Sequence, residues 1–120
     1  MREPRLVQDY LRDILDAMDK AEAFVFELDL HAFRADDKTA FAVIRSHEIL
    51  DEAAKKNPSD QRRRFPNIPW KSLTGMRDKL IHDYVGVSLE VVYRTVKQDI
   101  PSLRPKLVDM LVKVQAEEAQ

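Results

Sequence analysis

Cysteine is absent from this 120-residue chain, and glycine occurs only at Gly75 and Gly86. Without cysteine the chain can form no disulfide, no thiolate zinc site and no cysteine nucleophile. No apolar run approaches the roughly 18 residues that a membrane-spanning helix needs, and the first residues lack the apolar core of a signal peptide. These absences suit a protein of the cytoplasm.

The charges are nearly balanced, with 20 basic and 21 acidic side chains and a net charge of −1. Such a balance creates no global positive field, so any contact with a nucleic acid must come from a local patch. The hydrophobic share of 44% is enough for one compact core. We therefore expect a single domain over residues 1–120, with a polar tail over about residues 115–120 that frays.

Apolar residues recur at steps of three and four along most of the chain, which indicates amphipathic helices. The segments "DLHAFRADD" and "PSDQRRRFPNIP" between them are predicted to be a linker and a polar loop. We expect Pro101 to interrupt the last helical region and Ser102 to cap a new helix. The predicted helices cover about residues 6–28, 38–56, 70–84, 89–100 and 103–114. No stretch alternates with period two for long, so the sequence predicts an all-α, up-and-down bundle of four to five helices.

The stretch "GMRDKLIHDYVG", residues 75–86, carries the most reactive side chains. His82 can act as general acid or base near neutral pH, and Arg77 can stabilise charge that develops on a phosphate. Together they suit RNA cleavage without a metal, because an imidazole can activate the 2′-hydroxyl that DNA lacks. Asp78, one turn before His82, can orient the ring. On an ideal helix Arg77 and His82 point about 140° apart, so either the helix ends near His82 or residues of two chains converge.

Other basic residues are weaker candidates for an RNA contact. Arg62, Arg63 and Arg64 precede the third predicted helix and could bind the RNA backbone. The simpler interpretation is a solvated basic loop or a contact for an acidic partner, and we favour it slightly. Lys79 is a further possible RNA contact within the reactive stretch.

The remaining histidines and carboxylates have structural interpretations. His47 lies on the apolar stripe of the second predicted helix, so we interpret it as a core or interface histidine rather than a second base. His31 is expected to be solvated. Glu48 and Glu52 are four residues apart and could share a cation, but the sequence places no other ligand nearby. No metal site is predicted.

With these residues the chain resembles the HepT-like toxins of the HEPN superfamily. Arg77, His82 and Tyr84 match the motif R-x4-H-x-Y. The surrounding "IPWKSLTGMRDKLIHDYVGVSLEVVYRTVKQDIPSL" resembles the family signature over about 35 residues. The segments "FAVIRSHEILDEAAKK" and "VQDYLRDILDAMDKAEAFV" resemble its second and first helices, so nearly the whole chain is covered.

The resemblance implies a homodimeric HEPN-like bundle in which the motifs of two protomers face a shared cleft. It implies a metal-independent endoribonuclease with Arg77 and His82 as catalytic residues, acting as the toxin of a bacterial or archaeal type II toxin–antitoxin pair. The implied partner is an MntA-like nucleotidyltransferase that can transfer AMP from ATP onto Tyr84, and no cofactor is required for cleavage. A bulky, negatively charged AMP group beside Arg77 should block an RNA phosphate.

Two positions depart from the family pattern. Asp51 stands where the family usually has glycine, and Asp78 stands where asparagine is common. A carboxylate near the motif would repel RNA but could raise the basicity of His82. We therefore keep an alternative hypothesis, a non-catalytic HEPN module that binds a nucleotidyltransferase or a nucleotide.

Overall fold

The computed structural model of the chain describes residues 5–75 and 88–119. These residues form seven α-helices and one π-helical segment and contain no strand. The helices are α1 (Val7–Val25), α2 (Leu30–Ala35), α3 (Asp37–Lys56), α4 (Ser59–Arg64), α5 (Trp70–Thr74), α6 (Leu89–Arg94) and α7 (Ile100–Glu118), with the π-helical segment (Thr95–Asp99) between α6 and α7. The prediction of an all-α fold is confirmed.

Helix α1 lies at the centre of the described fold, with α3 and α7 packed along it. The N-terminal half of α1 lines a groove with the C-terminal half of α3, so these two helices run antiparallel. Arg104 in α7 forms ion pairs with Asp19 and Glu22 in α1, while the end of α7 reaches the start of α1. Helix α7 is therefore also antiparallel to α1, as an up-and-down bundle requires.

Helix α3 matches its predicted bounds within one residue. The Asp36 carboxylate accepts a hydrogen bond from the Thr39 backbone N–H at 3.1 Å and so caps the first turn. The helix ends at Lys56, because Asn57 precedes a proline and adopts an extended conformation. The predicted apolar stripe is buried, including Val43, Leu50 and Ala54.

Two segments predicted to lack helices contain short ones, so the described helices outnumber the four to five expected. Helix α2 lies within "DLHAFRADD", where the Asp29 carboxylate caps it by accepting from Ala32 N–H at 2.8 Å. Phe33 of α2 is fully buried against the Tyr93 ring. Helix α4 lies within "PSDQRRRFPNIP" and has no buried residue. Each spans six residues, too few for a helical periodicity to be visible in the sequence.

The predicted interruption at Pro101 is wrong. The chain passes from α6 to α7 through the π-helical segment, in which Ile100 N–H bonds to the Thr95 carbonyl five residues back. Pro101 is the second residue of α7 and directly follows the π-helical segment and Ile100. Ser102 does not cap a helix but donates to the Asp99 carbonyl at 2.9 Å. Pro105 lies inside α7.

The predicted fraying of the tail is also wrong, because α7 continues to Glu118. The Glu118 carboxylate accepts backbone hydrogen bonds from Val7 at 3.2 Å and Gln8 at 3.0 Å. These two N–H groups belong to the first turn of α1 and have no partner within that helix. The polar residues at the end of α7 are thus hydrogen-bonded to the start of α1.

Helix α1 begins as predicted but ends at Val25, three residues before the expected Leu28. Its buried face includes Val25, whereas Phe24 is 41% exposed.

Candidate functional site

The motif residues Arg77, Asp78, Lys79, His82 and Tyr84 lie outside the described residues. Their predicted roles stay predictions. The structure describes the elements that precede and follow them in the chain, and the surface that these elements pack on.

Helix α5 leads into the motif and is fixed at its start. The Trp70 indole N–H donates to the Phe65 carbonyl at 3.1 Å, and Leu73 is fully buried. Helix α5 packs on α3. Trp70 is half-buried against the core and so anchors the start of this helix.

Gly75 follows α5 with an ordinary right-handed backbone conformation. A Cβ atom added there would lie 3.0 Å from the Lys71 carbonyl oxygen, which belongs to the same helix. The close neighbour of Gly75 is therefore its own preceding turn. Gly86, the other glycine, lies outside the described residues.

After the motif, Ser88 begins α6 as predicted. Its hydroxyl accepts a hydrogen bond from the Val91 backbone N–H at 3.3 Å. Val92 and Ile100 then bury their side chains in the core. Both ends of the motif segment are thus attached to well-packed helices.

A buried polar pair lies on α3, the helix against which α5 packs. His47 is 3% exposed and Asp51, one turn later, is 1% exposed. Because His47 and Asp51 are four residues apart, their side chains lie on the same face of α3.

His47 is held as a neutral side chain. Its Nδ1 lies 2.9 Å from the Val43 carbonyl, which requires the proton on Nδ1. Burial lowers the pKa of His47, and the bond to Val43 opposes this only in part. Nε2 is enclosed and has no hydrogen-bond partner within the described part of the chain. These observations match the interpretation of His47 as a core histidine.

Asp51, the position that departs from the family pattern, keeps one partner. One carboxylate oxygen lies 3.3 Å from the Lys55 ammonium, while Oδ1 is enclosed without a partner among residues 5–75 and 88–119. Asn57 is fully buried, and its amide oxygen and nitrogen also lack partners among those residues. Sequence reasoning missed the burial of both side chains, since polar residues of these types are mostly exposed.

The three arginines predicted as possible RNA contacts differ in their surroundings. Arg64 binds both carboxylate oxygens of Glu117 in α7 and also contacts Gln61. The bond to Glu117 raises the pKa of Arg64, and Arg64 in turn lowers the pKa of Glu117. Arg62 is half-buried with an enclosed Nε, and Arg63 is exposed. Arg63 and Arg64 are thus both exposed, but Arg64 is paired with Glu117 and Arg63 has no described carboxylate partner.

Other predicted side chains have ordinary environments. His31 is exposed on α2. Glu48 pairs with Arg45 at 3.7 Å and Glu52 with Lys56 at 3.8 Å, so each carboxylate has a cation on its own helix. Across the described ranges, no group of three histidine or carboxylate side chains is placed to hold a metal ion.

Comparison with protein families identifies the chain. The family model described as Ribonuclease HepT-like matches residues 14–110, which include the whole motif segment. The chain belongs to the HepT-like ribonuclease family.

Several relatives support this membership. A Probable ribonuclease HepT of Thermococcus cleftensis is 50% identical over 99 residues, covering 82% of this chain and 90% of that protein. A "Putative RNase" of Methanocaldococcus jannaschii is 43% identical over 100 residues, covering 83% and 86%. A second "Putative RNase", of Caldanaerobacter subterraneus, is 35% identical over 113 residues, covering 94% and 98%. No solved structure gives a significant match.

Membership in the HepT-like family confirms two predictions. The family resemblance stated from the sequence is correct, and the assignment to the ribonuclease class of enzymes agrees with the family and with the names of its relatives. Among the described helices, none is long and apolar enough to cross a membrane.

Proposed function

We propose that this chain is a metal-independent endoribonuclease that acts as the toxin of a type II toxin–antitoxin pair. The observation that carries the proposal is the family match over residues 14–110, which includes Arg77 and His82 at the spacing of the motif. The buried state of His47 supports the choice of His82 as the base, since a neutral, enclosed imidazole bound to Val43 is poorly placed to reach RNA.

The proposed reaction is an internal transfer at a phosphodiester. The imidazole of His82 removes the proton from a 2′-hydroxyl, and that oxygen attacks the adjacent phosphorus. Arg77 stabilises the charge of the pentacoordinate phosphate. The bond to the 5′-oxygen breaks, the leaving oxygen takes up a proton, and the products are a 2′,3′-cyclic phosphate and a 5′-hydroxyl end. Asp78 holds the imidazole ring, and Lys79 adds positive charge for the RNA backbone.

The chemistry predicts a strict dependence on the 2′-hydroxyl. We expect cleavage of RNA, and no cleavage of DNA or of 2′-O-methyl RNA of the same sequence. Product ends can be read by mass spectrometry after incubation in EDTA. Cleavage of 2′-O-methyl RNA, or loss of all RNA cleavage in EDTA, would contradict the mechanism.

The homodimer is part of the proposal, because Arg77 and His82 diverge by about 140° on one ideal helix. If the site combines residues of two protomers, mixing inactive Arg77→Ala and His82→Ala chains should restore cleavage through mixed dimers. Activity of the mixture no higher than that of each variant alone would argue against a shared site of this kind.

Regulation through Tyr84 is the second part of the proposal. A nucleotidyltransferase partner would transfer AMP from ATP to the Tyr84 hydroxyl, releasing pyrophosphate. The intact mass of the chain should rise by one AMP group after incubation with the neighbouring gene product and ATP, and a Tyr84→Phe chain should keep its mass. An unchanged mass of the wild-type chain would refute the modification. A chain that takes up AMP but never cleaves RNA would fit the alternative of a non-catalytic module.

A further inference from the structure

The corner between α4 and α5 has a fixed backbone. Phe65 and Ile68 are buried in the core, and Ile68 N–H donates to the Phe65 carbonyl at 3.1 Å. Trp70 then donates its backbone N–H to the Ile68 carbonyl at 2.8 Å and its indole N–H to Phe65. The backbone that carries the solvent-exposed side chains of this corner is therefore held in one conformation.

The segment that contains α4, the corner and α5 is also strongly basic. Residues 57–75 contain four basic side chains and one acidic one, Asp60. Both Asp60 and Glu117 act on Arg64, whose pKa they raise. Glu117 is thus paired with Arg64, and Asp60, the one carboxylate among residues 57–75, acts on the same arginine through its charge.

The basic side chains next to the corner each form an ion pair with a carboxylate on their own helix. The pairs are Lys55 with Asp51 at 3.3 Å, Lys56 with Glu52 at 3.8 Å, and Lys113 with Asp109 at 3.0 Å. Arg63 on α4 and Lys71 on α5 differ, because both are exposed and neither forms an ion pair with another described residue. We call Arg63 and Lys71 the corner cations.

We propose that the corner cations bind backbone phosphates of the RNA substrate; this rests on the ribonuclease function proposed above. Two exposed cations without carboxylate partners attract a polyanion, and phosphate contacts of this kind position a nucleic acid without reading its sequence. Lys71 precedes the motif Arg77 by six residues in the sequence, and α5, which carries Lys71, leads directly into the motif segment. An acidic protein surface is the other class of partner that two cations would suit, and the experiment below separates the two.

The test measures RNA binding rather than cleavage, in chains that carry His82→Ala so that the probe stays intact. The probe is a short fluorescein-labelled oligouridylate, and its dissociation constant is measured by fluorescence anisotropy over a series of salt concentrations. Each lost phosphate contact should reduce the slope of log K against log salt by about 0.7 for a single strand. The parent is the chain that carries His82→Ala alone. Between about 50 and 200 mM salt, its affinity should therefore fall roughly sevenfold more than that of the chain that also carries Arg63→Gln and Lys71→Gln.

Two control variants each remove one positive charge that does not belong to a corner cation. Arg64→Gln removes the guanidinium that is paired with Glu117, and Lys106→Gln removes an exposed ammonium on α7. Both should keep the slope of the parent, although Arg64→Gln should melt at a lower temperature. Equal slopes for the parent and the Arg63→Gln/Lys71→Gln chain would overturn the inference and leave the corner to an acidic protein partner. A slope lowered as much by Lys106→Gln would overturn it too, since only total charge would then matter.

Failure of the ribonuclease function itself gives a different result. In that case wild-type chain does not cleave RNA and the His82→Ala parent does not bind the oligouridylate, so both proposals fall together. If wild type cleaves and the parent binds, only the slopes of the variants decide whether the corner cations take part.

Discussion

Burial of His47 makes the stability of the protein depend on pH in a defined window. Burial lowers the pKa of His47 from its ordinary value of 6.5. As the pH falls below about 6.5, the unfolded chain binds a proton at this residue while the folded chain does not. The free energy of unfolding therefore decreases on acidification, by about 1.4 kcal/mol for each unit by which folding depresses the pKa. The loss stops growing once the pH falls below the folded-state pKa.

The variant His47→Gln isolates this effect. A glutamine amide can still donate to the Val43 carbonyl, and it does not titrate. At about pH 7.5 we expect its stability to lie within roughly 1 kcal/mol of wild type. Between about pH 6.5 and pH 5 the wild type should lose stability faster than the variant. His31→Gln, which changes an exposed histidine on α2, should follow the wild-type curve.

The measurement is urea unfolding followed by circular dichroism at a fixed protein concentration. The series should stop near pH 5, because the hydrogen bonds from Thr39 lower the pKa of Asp36, and stability that depends on its charge is lost at more acidic pH. Parallel curves for wild type and His47→Gln would refute the description of His47 as a buried neutral side chain. The variant should also keep RNA cleavage, since His47 is not the proposed base.

Two further variants test how the helices are held together. Phe33→Ala removes a fully buried ring that packs on Tyr93, so the free energy of unfolding should fall by about 3–5 kcal/mol in denaturant titrations; a loss below about 1 kcal/mol would mean that α2 is not part of the core. Glu118→Ala removes the carboxylate that accepts from the first turn of α1, and a loss of about 1 kcal/mol is expected, as for other helix caps. Deleting the end of the chain from Glu118 without any loss would show that the tail frays after all.

The long helices were predictable because their signals are local. Helix α3 has a full amphipathic period, an aspartate cap at Asp36 and an Asn57–Pro58 stop, so its bounds follow from the sequence. The start of α6 was predictable for the same reason, because Ser88 is a local capping signal. At Pro101 the local rule failed, because the packing of Ile100 and Leu103 in the core holds one continuous helical run through a wider π-helical turn.

Features that depend on distant partners were not predictable. Helix α2 is stabilised by Phe33 against Tyr93, which lies 60 residues later in the chain. The difference between Arg63 and Arg64 comes from Glu117, which is 53 residues from Arg64. The sequence pattern treats the three arginines alike, and only their long-range partners separate them. The burial of Asp51 likewise depends on other parts of the fold that pack on α3.

The proposed catalytic residues, by contrast, rest on the sequence motif and the family match alone, since the motif lies outside the described residues. The described helices hold both ends of the motif segment in place. The burial of His47 argues against this residue as an alternative general base. Among the exposed basic residues of residues 57–75, the structure leaves only the two corner cations, Arg63 and Lys71, without a described carboxylate partner.

Single-turnover cleavage of a labelled RNA by wild-type, His82→Ala and Arg77→Ala chains tests the central claim most directly. We expect wild type to cleave in EDTA. His82→Ala should be slower by about 10²–10⁴-fold through loss of the general base, and Arg77→Ala by about 10²–10³-fold through loss of phosphate stabilisation. Circular dichroism should show that both variants keep the helical fold. Cleavage by folded His82→Ala at the wild-type rate, or no cleavage by wild type, would contradict the account.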